Sequence, residues 1–133
     1  MTNDGVLLIL KIMKESIKSK PFFETSSEKM RDVAPGVKRQ FFGFDEQMMM
    51  VKVYFEKGAK GPIHAHVHTQ TTYVASGKFE MYIGDETRIL QAGDGFYTEP
   101  HIDHGCTCLE SGILIDVFSP IREDFYDSFK DEL

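Results

Sequence analysis

The chain has no tryptophan, five prolines and only two cysteines in 133 residues. Two cysteines cannot staple a small secreted framework. Cys106 and Cys108 also stand two residues apart, where a β-strand holds their Cα atoms roughly 7 Å from each other, beyond easy disulfide reach. They read as reduced thiols of a cytoplasmic protein. Positive charge is short as well: 15 Lys and Arg against 21 Asp and Glu leave a formal net charge of −6. Nucleic acid and anionic membranes offer no countercharge to such a surface, so neither is expected as a partner, and an anionic ligand needs a local positive site. Long apolar runs are missing from the first twenty residues, where Val6 to Met13, broken by Lys11, is too short to span a membrane. Asp4 precedes that run and no Lys or Arg does, which argues against a secretory leader. The terminal Lys130-Asp131-Glu132-Leu133 matches an endoplasmic-reticulum address, but without a leader the match is coincidental.

What remains is the composition and length of one domain, large enough to bury a core without staples. Residues 1–34 are expected to form an N-terminal arm and lead-in strand, and residues 35–133 a β-barrel domain. From Pro35 onward short strands alternate with turns, the spacing of an all-β barrel or sandwich. Met49, Val51, Val53 and Phe55 alternate with Met50, Lys52, Tyr54 and Glu56, which gives a strand one apolar face. Phe79, Met81 and Ile83 repeat that pattern before Gly84-Asp85, residues suited to a tight hairpin turn. Ala92-Gly93-Asp94-Gly95 breaks the chain again, and Phe96–Thr98, Gly105–Leu109 and Ile113–Phe118 read as further strands. After Pro120, Ile121, Phe125 and Phe129 fall at helical spacing, predicting a short helix with one apolar stripe against the barrel.

Three of the five histidines crowd into GAKGPIHAHVHTQTTYVASG, residues 58–77. His64 and His66 are two apart, so on a strand both rings point the same way and can close on one ion. Gln70 lies four residues past His66, about 13 Å along an extended chain, so it joins them only if the backbone bends near Val67 to Thr69. A lone histidine near a turn is usually a surface residue, but this grouping points to metal. His68 shares the parity of His64 and His66 and is the rival ligand. His101 and His104 compete in the same way further on.

Gly58, His64, His66, Gln70 and Gly77 together resemble the first motif of the cupin family, and Gly93, Asp94, Pro100 and His104 resemble the second. The resemblance spans about residues 36 to 126 and implies a single-domain double-stranded β-helix, or jelly-roll barrel, with a short C-terminal helix. It selects His64 and His66 over His68, and makes His104 the third histidine ligand. Where the family usually has a glutamate, this chain has Gln70. Three imidazoles and an amide are neutral donors, so one divalent ion, Zn, Ni, Fe or Mn, would keep its full charge as a Lewis acid; without a carboxylate the set leans away from oxygen activation.

Asp116 sits inside the apolar run Ile113–Phe118, where a buried carboxylate needs a partner, and Arg122 offers a planar fork for a carboxylate. The pairing of P-x-H-x-H-x3-Q with D-V-F-S-P-x-R-E-D resembles the small cupins of pectin and alginate catabolism. That resemblance implies a metal held by His64, His66, Gln70 and His104, with Asp116, Phe118 and Arg122 as the functional triplet. It also implies ring opening and tautomerisation of 4,5-unsaturated uronates to linear keto sugar acids. The partner is then a small anionic sugar, and a homodimer is the expected assembly. A non-catalytic sugar-acid sensor and a metal-dependent dioxygenase are the other classes open to this pocket. Cys106 and Cys108 share the parity of His104 and are expected to serve as buried packing.

Overall fold

A computed structural model describes residues 3–8 and 17–133. Residues 3–8 are helical, and the apolar run that starts at Val6 continues outside the described residues. Eight strands follow: β1 (Arg31–Ala34), β2 (Val37–Asp45), β3 (Met48–Phe55), β4 (Lys60–His64), β5 (Thr69–Ile83), β6 (Glu86–Gln91), β7 (Gly95–Thr98) and β8 (His104–Ser119). All pairings are antiparallel, in the order β1-β2-β3-β8-β5-β6, with β4 also on β8 and β7 also on β5. Among the described residues no helix is long and apolar enough to cross a membrane.

The apolar face of β3 is where alternation puts it: Met49 and Val51 are fully buried, and Val53 and Phe55 nearly so. They meet Phe79, Met81, Cys106, Cys108 and Leu114 from the two long strands, so both thiols are core residues. One buried amide is fully answered, since Gln40 donates to the Thr25 and Glu28 carbonyls and accepts from the Tyr54 hydroxyl. The Gly84-Asp85 turn joins Ile83 to its cross-strand partner Glu86.

One expectation for the strands changes, and one strand comes without a sequence signal. The two strands expected over residues 105–118 are one, β8, which keeps its pairing through Glu110 to Gly112 by shifting register against β5. Gly77 makes the shift possible: its φ is +83°, and a Cβ there would lie 2.6 Å from the Glu110 carbonyl oxygen. β6 escapes the alternation rule because most of its residues are exposed on both faces. The C-terminal helix, Glu123–Phe129, begins later than expected, so Ile121 is buried ahead of it and the stripe on the helix itself is Phe129, buried, and Phe125, partly so.

Candidate metal centre

His64 ends β4 and faces His104, the first residue of β8, across the strand pair. Gln70 is the second residue of β5. His66 lies on the connection between them, which bends at Val67 and His68, and the His101 N–H fixes that connection by donating to the His66 carbonyl at 2.8 Å. The ring nitrogens of His64, His66 and His104 come within 4.8 Å of one another, a candidate metal site among the described residues. His68 stands outside this group.

The hydrogen bonds decide which atoms are free. In all three rings Nδ1 meets a backbone carbonyl, of Pro62 for His64 (2.9 Å), His68 for His66 (3.0 Å) and Ile102 for His104 (2.9 Å). A carbonyl only accepts, so each Nδ1 must carry the proton and each neutral Nε2 presents a lone pair. Gln70 is fixed in a matching way: its amide nitrogen donates to Thr72 Oγ1 (2.9 Å), which leaves Oε1 2.9 Å from His66 Nε2 and 3.1 Å from His104 Nε2. Three acceptors then converge with no proton between them. Protonating the rings would relieve this, but burial lowers the pKa of His66 and of His104. A bound cation satisfies the set, so the donor chemistry fits a metal ion.

Asp116 lies beside this cluster. It pairs across the sheet with Thr72, whose hydroxyl donates to Asp116 Oδ1 at 2.7 Å, and the Gln70 amide reaches the same oxygen at 3.4 Å. Burial pushes its carboxyl up to about 6, against the Thr72 hydrogen bond and the charges of Arg39 and Arg122. A cavity of about 90 Å³ joins His64, Gln70, His104, Cys106 and Asp116. A larger one, about 470 Å³, opens between Lys18, Glu28, Phe41 and Phe129, but it holds no histidine, and the donor set marks the smaller as the site.

The rest of the expected triplet is placed less openly. Phe118 is buried, its ring 5.6 Å from His66 and 5.7 Å from Phe125. Arg122 is 9% exposed and its fork is engaged, Nε to Asp124 Oδ1 (3.0 Å) and Nη2 to Oδ2 (2.8 Å). Two residues escaped sequence reasoning. Thr72 was signalled by sharing the parity of Gln70, and Arg39 by sitting between Val37 and Phe41 on the inward parity of β2.

The raised Asp116 pKa sets a pH dependence of stability in metal-free protein. From about pH 4 to about pH 6 the unfolded carboxyl ionises while the folded one keeps its proton, so stability falls as pH rises through that window. Metal-free Asp116→Asn should therefore be more stable than wild type at pH 7.5 by up to about 3 kcal/mol, with the difference closing near pH 4. Urea unfolding at the two pH values measures it. An asparagine variant less stable than wild type at pH 7.5 would contradict the burial cost.

A family model described as the cupin domain matches residues 51–118. The chain is 45% identical over 104 residues, 77% of its length and 92% of the relative's, to the pectin degradation protein KdgF of Dickeya dadantii (strain 3937). Among solved structures, an RmlC-like cupin from Shewanella frigidimarina NCIMB 400 aligns with TM-score 0.79 at 45% identity, covering 81% of this chain and 97% of that one. KdgF from Halomonas sp. aligns with TM-score 0.77 at 38% identity, covering 80% and 99%. The barrel, the three-histidine centre and these likenesses agree: the chain belongs to the cupin family, among the small cupins similar to the pectin degradation protein KdgF.

Proposed function

We propose that this cupin is a metal-dependent isomerase that opens 4,5-unsaturated uronates and delivers linear keto sugar acids, a step of pectin and alginate breakdown. Kinship to a protein named for pectin degradation supports the substrate class. The observation that carries the reaction type is Asp116, a buried carboxyl anchored by the Thr72 hydroxyl and within reach of the Gln70 amide, beside the candidate metal donors. A fixed carboxylate next to a Lewis-acid site is what proton relocation needs.

His64, His66, Gln70 and His104 hold one divalent ion, which when bound supplies a Lewis acid for a sugar oxygen. Asp116 accepts the proton of the anomeric hydroxyl as C1 becomes a carbonyl and the C1–O5 bond breaks. O5 takes up a proton and becomes an enol hydroxyl. The enol then loses its O–H proton as C4 gains one, giving the C5 ketone. Nothing is oxidised or reduced, and product and substrate are isomers. Thr72 holds the Asp116 carboxyl at the site, Phe118 walls it on the His66 side, and Arg122 adds positive charge toward the uronate carboxylate. Buried free thiols fit a reducing compartment such as the cytoplasm.

Proton NMR of the metal-loaded protein with 4,5-unsaturated galacturonate tests this reading: the C4 vinyl proton should disappear as a C4 methylene grows in. A vinyl signal unchanged relative to buffer would reject it, and tight uronate binding in that case would favour the sensor.

We also propose that two chains pair through the outer sheet face. Met50, Val117, Thr71 and Tyr97 form one cross-strand row there, and Met50, Tyr73 and Tyr97 are exposed. Light scattering should give twice the 15.2 kDa chain mass, falling to one chain in Met50→Glu/Tyr73→Glu. A monomeric wild type would remove the dimer.

A further inference from the structure

Arg39 carries a charge that no hydrogen bond or ion pair among the described residues answers. It lies half-buried on β2, and its Nε is closed off from solvent with no hydrogen-bond partner. Every arginine near it is engaged. Arg31, its cross-strand neighbour on β1, pairs with Glu132 at 2.8 Å, and Arg122 pairs with Asp124 at 2.8 Å. Asp116 forms no ion pair with Arg39 among the described residues; its Oδ1 accepts from Thr72 and Gln70, and the two charges act on each other only at longer range. A half-buried guanidinium with an unpaired N–H is costly to keep, and an anionic ligand at the same face would offset that cost.

Position says which ligand. The guanidinium of Arg39 rests on Phe125, 4.1 Å from the ring centroid, and that of Arg122 rests on the same ring at 3.9 Å, so their central carbons are at most about 8 Å apart. Phe125 packs at 5.7 Å on Phe118, which packs at 5.6 Å on the metal-site ring of His66. Arg39 and Arg122 are also the two arginines whose charges act on Asp116, so this paired-cation face adjoins the Asp116 side of the candidate metal centre. With Arg122 committed to Asp124, Arg39 is the cation of this pair with no carboxylate partner among the described residues.

We infer that Arg39 receives the substrate's carboxylate and so makes the site specific for sugar acids over neutral sugars. The inference rests on the uronate reading above, and it assigns the direct carboxylate contact to a residue outside the Asp116, Phe118 and Arg122 triplet. Arg122 then acts as the second, already paired cation of the same end of the site.

The test uses metal-loaded full-length protein with Arg39→Gln and Arg39→Lys, metal stoichiometry and circular dichroism confirming intact site and fold. With 4,5-unsaturated galacturonate, Arg39→Gln should raise KM about ten- to a hundredfold while kcat changes less than about threefold, and Arg39→Lys should recover part of the loss. Calorimetry with D-galacturonate should show the same weakening, and D-galactose binding should be indifferent to the substitution. KM and galacturonate affinity within about twofold of wild type in Arg39→Gln would overturn the inference while leaving the reaction standing, as would an equal loss for D-galactose. If Arg39→Gln fails to fold, Arg39→Lys decides on the same measurements, because a point charge replaces the planar fork. If wild type turns over nothing, the reaction is rejected on its own. In that case Arg39-dependent galacturonate binding sustains the inference, and absent wild-type binding overturns it.

Discussion

Asp116→Asn is expected to lower turnover of 4,5-unsaturated galacturonate by about two to four orders of magnitude, with metal content unchanged and substrate affinity nearly so. Asparagine keeps the shape and can still meet the Thr72 hydroxyl and Gln70 amide, so both neighbours stay in place. What disappears is the carboxyl beside the donor cluster that can take and return a proton. The loss should fall on kcat, because the proton is transferred in the transition state and not in the bound ground state. Steady-state rates at saturating metal measure it. A fall of less than tenfold would move the proton-transfer role away from Asp116, and a fall accompanied by metal loss would make the residue a support for Gln70.

The second large effect is on metal. His104→Ala should reduce bound divalent ion from one per chain to nearly none, since it removes the most buried of the three imidazoles and leaves Gln70 Oε1 with only the His66 partner. Wild-type protein with ion at a thousandfold excess over its dissociation constant should gain about 4 kcal/mol of stability, and His104→Ala should gain almost nothing. Elemental analysis and unfolding midpoints with and without ion read both numbers. His68→Ala is the control and should keep its ion, since His68 contributes a backbone carbonyl to His66 and no ring atom to the cluster. Loss of ion in His68→Ala with retention in His104→Ala would place the centre in the wrong register.

Much of this was legible before the fold was known, for reasons that differ by residue. Met49, Val51, Val53 and Phe55 announced a half-buried strand because period two leaves no other arrangement that buries all four. Residue spacing singled out the cluster of His64, His66 and His68 with Gln70 beyond it, and the resemblance to the family's two motifs selected His64 and His66 over His68 and added His104. No local pattern links residue 70 to residue 104, which only the β4–β8 and β5–β8 pairings bring together. Asp116 was visible as a charge in an apolar run. Its partner Thr72 showed only the parity it shares with Gln70, since which residue it faces depends on cross-strand register, and that shifts at bulges such as the one near Gly77. Arg122 illustrates the limit most plainly. Its fork was readable, but the carboxylate that occupies it, Asp124, stands two residues away and looks like an ordinary surface acid. Arg39 gave only inward parity, and a sequence cannot show that a charge lacks a partner. β6 gave nothing, because a strand exposed on both faces has no period to detect.

The most direct test of metal-dependent ring opening is the rate at which 4,5-unsaturated galacturonate loses its ultraviolet absorbance as divalent ion is titrated into chelator-stripped protein. A rate at the buffer level without ion, rising to a plateau at one equivalent per chain, is the predicted result. Stripped protein as fast as the reconstituted form, or reconstituted protein no faster than buffer, would contradict it.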